Sequence, residues 1–234
     1  MGKLRCLAAC LAILLCAMPL ALSETAPEPF TKADVEQISG GLVTVGDYVA
    51  ALKPTSYSWV YEGPATGQTY LTLRTEADGV ELGEATLVVS PEDELIDGAE
   101  TGERETLPEG LSGLGAWLKS ARWMSKDYAL PFVRGVKPGA AQADVVAAFF
   151  SNSAGEPDYT VHDINPAVDE SWWIDDSAPL GGYAVSREDG GVDYVYGWCT
   201  LDEPEEWREY FQLVYHLMAE AVTNVELSYF TDPE

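Results

Sequence analysis

The residues of this chain that could do chemistry are two histidines, four cysteines and 39 acidic side chains. His162 and His216 lie far apart, and neither stands in a metal-ligand spacing such as His-x-x-x-His. Three cysteines (Cys6, Cys10 and Cys16) fall in the first apolar stretch. Only Cys199 remains, so no cysteine pair can complete a zinc set. There is no Gly-x-Ser-x-Gly elbow, no P-loop and no Gly-x-Gly-x-x-Gly turn. A Ser–His–Asp triad could be drawn in many ways from so many serines and aspartates, and nothing marks one out. A glycosidase needs two carboxyls at a set separation, one with a raised pKa; an acidic surface accounts for the same residues. No catalytic, cofactor-binding or metal-binding residue is therefore assigned, and the chain is read as a non-enzyme that needs no cofactor.

Two features could serve binding. Asp163, Asp169, Glu170, Asp175 and Asp176 crowd one region, and hard oxygen ligands suit calcium, but the Asp-x-Asp-x-Asp-Gly loop is absent. Trp172-Trp173 lies in the same acidic stretch. Buried, the pair anchors a loop; exposed, it could stack on a sugar or seat a protein. A third grouping, Lys119, Arg122, Lys126, Arg134 and Lys137, gathers much of the basic charge. It reads either as a ligand-binding patch or as a helix and loop packed against the acidic remainder, and the second is preferred.

The N-terminus sets the compartment. Lys3 and Arg5 are the only charges before Glu24, Leu4 to Leu22 is nearly all apolar, and Ala21-Leu22-Ser23 offers small residues for cleavage. That is the pattern of a secretory signal, assigned to residues 1–23. An apolar run of about 19 residues could also span a bilayer uncleaved, but Pro19 and the small-residue exit favour cleavage. Neither Cys10 nor Cys16 has the surroundings of a lipidated cysteine. With Cys199 alone after the signal, no internal disulfide can form, and an exported protein of this kind must rest on its own core. The whole chain carries a formal net charge of −26, and the signal holds none of the acids. This argues against nucleic acid, whose phosphates would be repelled, and against anionic membrane surfaces. Solubility outside the cell is its simplest meaning.

The elements follow from caps, periods and turns. Residues 24–30 read as a linker. Thr31 with Asp34, and Thr44 with Asp47, are capping pairs ahead of apolar stripes, closed by Gly40-Gly41 and Pro54. Two short helices are expected there. Strands are expected at Tyr57 to Tyr61 and on both sides of Asp78-Gly79. Residues 90–110 read as a loop and a domain boundary. Leu111 to Tyr128 reads as a helix with Leu114, Trp117, Leu118 and Ala121 on its stripe. Residues 131–139 read as strand and turn. A helix from about Ala141 to Phe150 should turn Val145, Val146 and Phe149 inward. A hairpin is expected around Asp189-Gly190-Gly191, with Val192, Tyr194, Tyr196 and Trp198 on its core face. Trp207 to Val222 fits two patterns: a helical stripe (Trp207, Phe211, Val214, Met218, Val222) or an alternating strand (Phe211, Leu213, Tyr215, Leu217). The frame Ala219 to Val222, which echoes Ala77 to Val80, favours a strand pair.

An internal echo links Asp47-Tyr48-Val49-Ala50-Ala51-Leu52 with Asp144-Val145-Val146-Ala147-Ala148-Phe149. Gly135-Val136-Lys137-Pro138-Gly139, then Asp144-Val145, then Gly155-Glu156-Pro157 and a run of hairpins resembles small exported bacterial modules, among them the outer-membrane-assembly lipoproteins of the BamE/SmpA type. The tandem β-lactamase-inhibitor-protein fold has a similar helix-helix-sheet repeat. The resemblance covers roughly residues 131–230 and, more faintly, 31–89. The chain departs from the pattern at Ala140-Ala141, where a capping Ser, Thr or Asp is usual, in the longer segment from Phe150 to Ala154, and in lacking the lipidated cysteine. The resemblance implies a helix pair on an antiparallel sheet that serves as a binding surface.

The expectation is thus an α+β fold, short helices packed on antiparallel sheet, with two related modules as an arrangement the echo allows. The segments are a signal at 1–23, a linker at 24–30, an N-terminal α+β module at 31–106 and a C-terminal α+β module at 107–234. The expected function is that of an exported or cell-envelope bacterial binding protein with a protein partner. A carbohydrate- or calcium-binding surface module is the alternative, and a secreted hydrolase comes third. No nucleic acid and no membrane beyond the signal are expected as partners.

Overall fold

The computed structural model describes residues 30–61, 68–89, 101–149, 183–203 and 206–231. The signal segment lies outside them. Helix α1 (Lys32–Ser39) starts where the Thr31 amide and hydroxyl donate to the Asp34 carboxylate, at 2.8 and 3.0 Å. It stops at Gly40, whose φ of 58° suits a residue without a Cβ. Helix α2 (Val45–Leu52) carries a full capping box. Asp47 N–H donates to Thr44 Oγ1 at 3.1 Å, and the Asp47 carboxylate accepts from the Thr44 amide at 2.9 Å. Helix α3 (Gln142–Ala148) has only the return half of that device. Ala141 has no side-chain acceptor, but its amide donates to Asp144 at 2.9 Å.

Nine strands make the rest: β1 (Ser56–Tyr61), β2 (Thr69–Ala77), β3 (Val80–Val89), β4 (Thr101–Arg104), β5 (Ala116–Trp123), β6 (Tyr183–Ser186), β7 (Val192–Glu203), β8 (Glu206–Met218) and β9 (Ala221–Thr231). They form one sheet, in the order β4-β1-β2-β3-β5-β9-β8-β7-β6, and every pairing is antiparallel. The fold is therefore mainly β, which corrects the α+β expectation. The described helices are only seven or eight residues long, too short to stand without the sheet beneath them.

The largest single correction is Leu111 to Tyr128. It holds a 3₁₀ turn (Leu111–Gly113) and strand β5 in place of a helix. A register shift opposite Thr86 and Leu87 inserts one residue between Leu118 and Ser120. The bulge puts Leu118, Ala121 and Trp123 on one face of the strand, and their three-residue step mimics a helical stripe. Three smaller corrections follow. Residues 131–139 contain a 3₁₀ turn (Val133–Gly135) and no strand. The acidic stretch before Gly110 contains an edge strand, β4. Val146 is exposed, while Val145 and Phe149 are buried as expected. The stretch from Trp207 to Val222 is the strand pair β8–β9, turning at Ala219-Glu220.

One face of the sheet is the core. Cross-strand register aligns Trp59, Leu71, Leu87 and Leu118 in one half, and Tyr196, Leu213 and Leu227 in the other, all buried. The helices and the 124–141 segment lie over this face. Phe149 packs on Tyr196 and Tyr215, with ring centroids 4.7 and 5.8 Å away. Tyr215 Oη donates to the Val133 carbonyl, and Trp123 Nε1 to the Leu130 carbonyl at 3.2 Å.

The two halves repeat. The strand order reads β1-β2-β3-β5 inward toward the centre on one side and β6-β7-β8-β9 inward on the other, with the last strand of each set meeting at the middle and β4 added beyond β1 at the outer edge. At the α2 start, Val45 N–H donates to the Leu114 carbonyl and Ala116 N–H to the Val43 carbonyl, both at 3.0 Å. At the α3 start, Gln142 N–H donates to the Glu220 carbonyl at 2.9 Å and Val222 N–H to the Ala140 carbonyl at 2.8 Å. Thr44 bridges Gly115 before β5 as Ala141 bridges Ala221 at the start of β9. The echo between the two Asp-containing helices is thus matched by backbone contacts that no side-chain pattern reveals.

Candidate functional site: the open face of the sheet

Because strand side chains alternate, the residues between the core positions all point to the opposite face. Among the described residues, no helix packs there. Three rows cross that face. The central row, Ser58, Thr72, Thr86, Ser120, Ser228 and Gln212, passes residue to directly opposite residue over six strands, a span of about 24 Å at ordinary strand spacing. Within it, Thr72 and Thr86 share a hydroxyl hydrogen bond of 2.9 Å.

On one side runs a charge ladder of alternating sign: Arg74, Glu84, Arg122 and Glu226. Arg74 Nη2 lies 3.5 Å from Glu84, and Arg122 Nη2 lies 3.0 Å from Glu81 and 3.3 Å from Glu84. On the other side lie Val60, Tyr70, Val88 and Trp117, of which Val88 is buried. Val60 and Trp117 are exposed. The Lys119 ammonium sits 3.9 Å from the Tyr70 ring centre, and Trp117 meets Tyr229 edge-on at 4.9 Å.

The ladder continues through His216. Its Nδ1 lies 2.8 Å from Asp193 Oδ1, and its Nε2 lies 3.5 Å from Glu226 Oε2. Arg187 Nη1 reaches the same Asp193 oxygen at 2.7 Å, and Arg187 Nε pairs with Asp189 at 3.1 Å. Burial works against a charge on His216, but the carboxylates of Glu226 and Asp193 outweigh it and raise its pKa. Glu226 is lowered in turn, first by His216 and against its own burial. Both ring nitrogens of His216 therefore face carboxylates. A triad histidine needs one nitrogen on a carboxylate and the other on a nucleophile, and His216 presents none. Its geometry is that of a charged tie between β7, β8 and β9.

The basic residues singled out in the sequence converge only in part. Lys126, Arg134 and Lys137 line one open groove of about 710 Å³ beside Gly139, Asp144 and Ala147, where Arg134 is held by Asp34. Lys119 and Arg122 lie apart from them, on the open face. The basic grouping is therefore split between two places. His162, the acids from Asp163 to Asp176, and Trp172-Trp173 lie outside the described residues, as do the side chains of Trp198 and Cys199. Among the described residues, no group of three or more His, Cys, Asp or Glu side chains is placed to hold a metal ion. No described helix is long and apolar enough to cross a membrane. The Asp193–His216–Glu226 tie went unread in the sequence because it depends on register: residues from three strands meet only once β7, β8 and β9 are aligned.

Comparison with known proteins finds no matching family model, no matching curated protein and no matching solved structure. What the chain itself defines is a mainly-β protein built on one antiparallel sheet, clad by short helices on one face.

Proposed function

We propose that this is an exported, non-catalytic binding protein whose open sheet face docks another protein of the cell envelope or its surroundings. One observation carries the reading. The face away from the helices is wide and patterned, with a polar track flanked by paired charges and by exposed Val60 and Trp117. Antiparallel sheets often leave one face to water, and cross-strand ion pairs stabilise such a face; exposed Val60 and Trp117 beside the polar track are what favour docking. The helix-sheet repeat, with both helix starts pinned alike, supports a reading in which two similar halves build one binding surface. The apolar, positively charged N-terminus supports export.

A protein fits better than a sugar. Stacking on a sugar needs a free aromatic plane. On this face Lys119 covers the Tyr70 ring, which leaves Trp117 as the single exposed aromatic ring among the described residues.

Affinity capture tests the reading. The immobilised full chain should retain a protein from the envelope fraction of its own host. Thr86→Trp, on the central row, should lose that protein, while Val43→Trp, beside α2, should keep it. Equal retention by both variants contradicts the choice of face. Retention of nothing by the wild type contradicts binding.

A further inference from the structure

At the middle of the open face, where the two halves join, β3, β5 and β9 enclose a depression of about 210 Å³ lined by Glu84, Ser120, Arg122, Glu226 and Ser228. The register explains it. Ser120 and Ser228 stand directly opposite each other, and their short side chains leave a floor. The next row, Glu84, Arg122 and Glu226, supplies a wall of longer side chains. The depression is well below the 300–1,000 Å³ of ordinary small-molecule sites, so it suits the end of one side chain and excludes a nucleotide or a sugar chain.

Building on the binding reading above, we propose that this depression receives a basic side chain, lysine or arginine, of the partner protein. The charges decide its sign. Arg122 is already held by Glu81 and Glu84. Glu226 is 40% exposed; it lies 3.5 Å from His216 Nε2 and is also favoured by the charge of Arg122 opposite it, and its exposed carboxylate still has acceptor sites to give. The two serine hydroxyls can accept as well as donate. The surrounding chain has a formal net charge of −26, which draws cations toward any concave spot on it. An acidic side chain would meet Glu84 and Glu226 instead, and an apolar one would strand their carboxylates.

The test needs no native partner. The ¹⁵N-labelled full chain is titrated with N-acetyl-lysine methylamide and N-acetyl-arginine methylamide, and with the neutral N-acetyl-norleucine methylamide. Saturable shifts should centre on the amides of Ser120, Ala121, Leu227 and Ser228 for the two cationic probes alone, and should persist at physiological ionic strength. The Glu84→Gln/Glu226→Gln pair should weaken them roughly tenfold. Ser228→Leu, which fills the floor and leaves every charge in place, should abolish them. Shifts spread over the whole acidic surface and erased by salt overturn the proposal, as does an equal response to norleucine. If the probes fail while envelope capture succeeds, the depression is wrong and the binding reading survives. If the probes bind while the chain captures nothing, the reverse holds.

Discussion

Arg134 and Asp34, 100 residues apart in sequence, are joined by two parallel hydrogen bonds of 2.9 Å, from Nε to Oδ1 and from Nη2 to Oδ2. The same guanidinium donates to the Ala148 carbonyl at 2.8 Å and lies over the Phe149 ring. It thus ties α1 of the first half to the exit of α3 in the second. Both partners are largely withdrawn from water, so removing one leaves the other without its counter-charge. Arg134→Ala should destabilise by about 3 kcal/mol, read as a lower denaturant midpoint at unchanged slope. Arg134 also has φ of 47°, a conformation costly for any residue with a Cβ. Arg134→Gly should therefore be less damaging than Arg134→Ala by about 1 kcal/mol. An alanine variant as stable as the glycine one would show that the backbone is not held in that shape.

The β8–β9 turn offers the opposite experiment. Ala219 and Glu220 both have positive φ, 51° and 64°, as Asp78 and Gly79 do at the β2–β3 turn with 52° and 75°. Two-residue hairpins of this hand favour Asn-Gly, because both positions must tolerate left-handed geometry. Replacing Ala219-Glu220 by Asn-Gly should raise the melting temperature, with a gain of about 1–2 kcal/mol. No gain would mean that the turn relaxes to another type.

The His216 tie makes stability depend on pH in a defined direction. The folded pKa of His216 is raised above its usual 6.5, so its contribution is complete below 6.5 and fades as pH climbs through the raised value. Glu226 is lowered below 4.5, so its contribution is complete above 4.5 and fades as pH falls through the lowered value. Between pH 4.5 and 6.5 both are present. The melting-temperature difference between wild type and His216→Gln should be greatest there and should shrink toward alkaline pH. Its size is on the order of 1 kcal/mol at most, since Glu226 is partly exposed and screened. A difference that grows above neutral pH would contradict the charged tie.

Trp123 tests the core. It is fully buried, its indole N–H bonds the Leu130 carbonyl, and it meets Tyr128 edge-on. Trp123→Ala should cost about 3–5 kcal/mol. Trp123→Phe should keep most of the packing but leave the Leu130 carbonyl short of its donor, at about 1–3 kcal/mol. A phenylalanine variant as stable as wild type would show that water reaches that carbonyl.

Much of the local structure was legible because it is written in adjacent residues. Thr31 with Asp34, Thr44 with Asp47, and Asp78-Gly79 each specify a cap or a turn within four positions. What was not legible depends on partners far away. The spacing of Leu118, Ala121 and Trp123 suits a helix as well as a bulged strand, and only pairing with β3 and β9 selects the strand. The same holds for the fold class. Three short helices are visible in the sequence, but the joining of β5 to β9 into one sheet rests on backbone hydrogen bonds that leave no mark in residue types. The open face was invisible for a related reason. Ser120, Ser228, Glu84 and Glu226 are unremarkable singly and meet only through register.

Site-specific photo-crosslinking is the most direct measurement of the binding reading. A photoreactive phenylalanine analogue is placed at Thr86 on the open face, and in separate chains at Val43 and at Val146 on the helical side. Each chain is irradiated in the envelope of its own host. The account predicts a discrete cross-linked protein from Thr86 and none from Val43 or Val146. A discrete product from either helical-side position with none from Thr86 would contradict it.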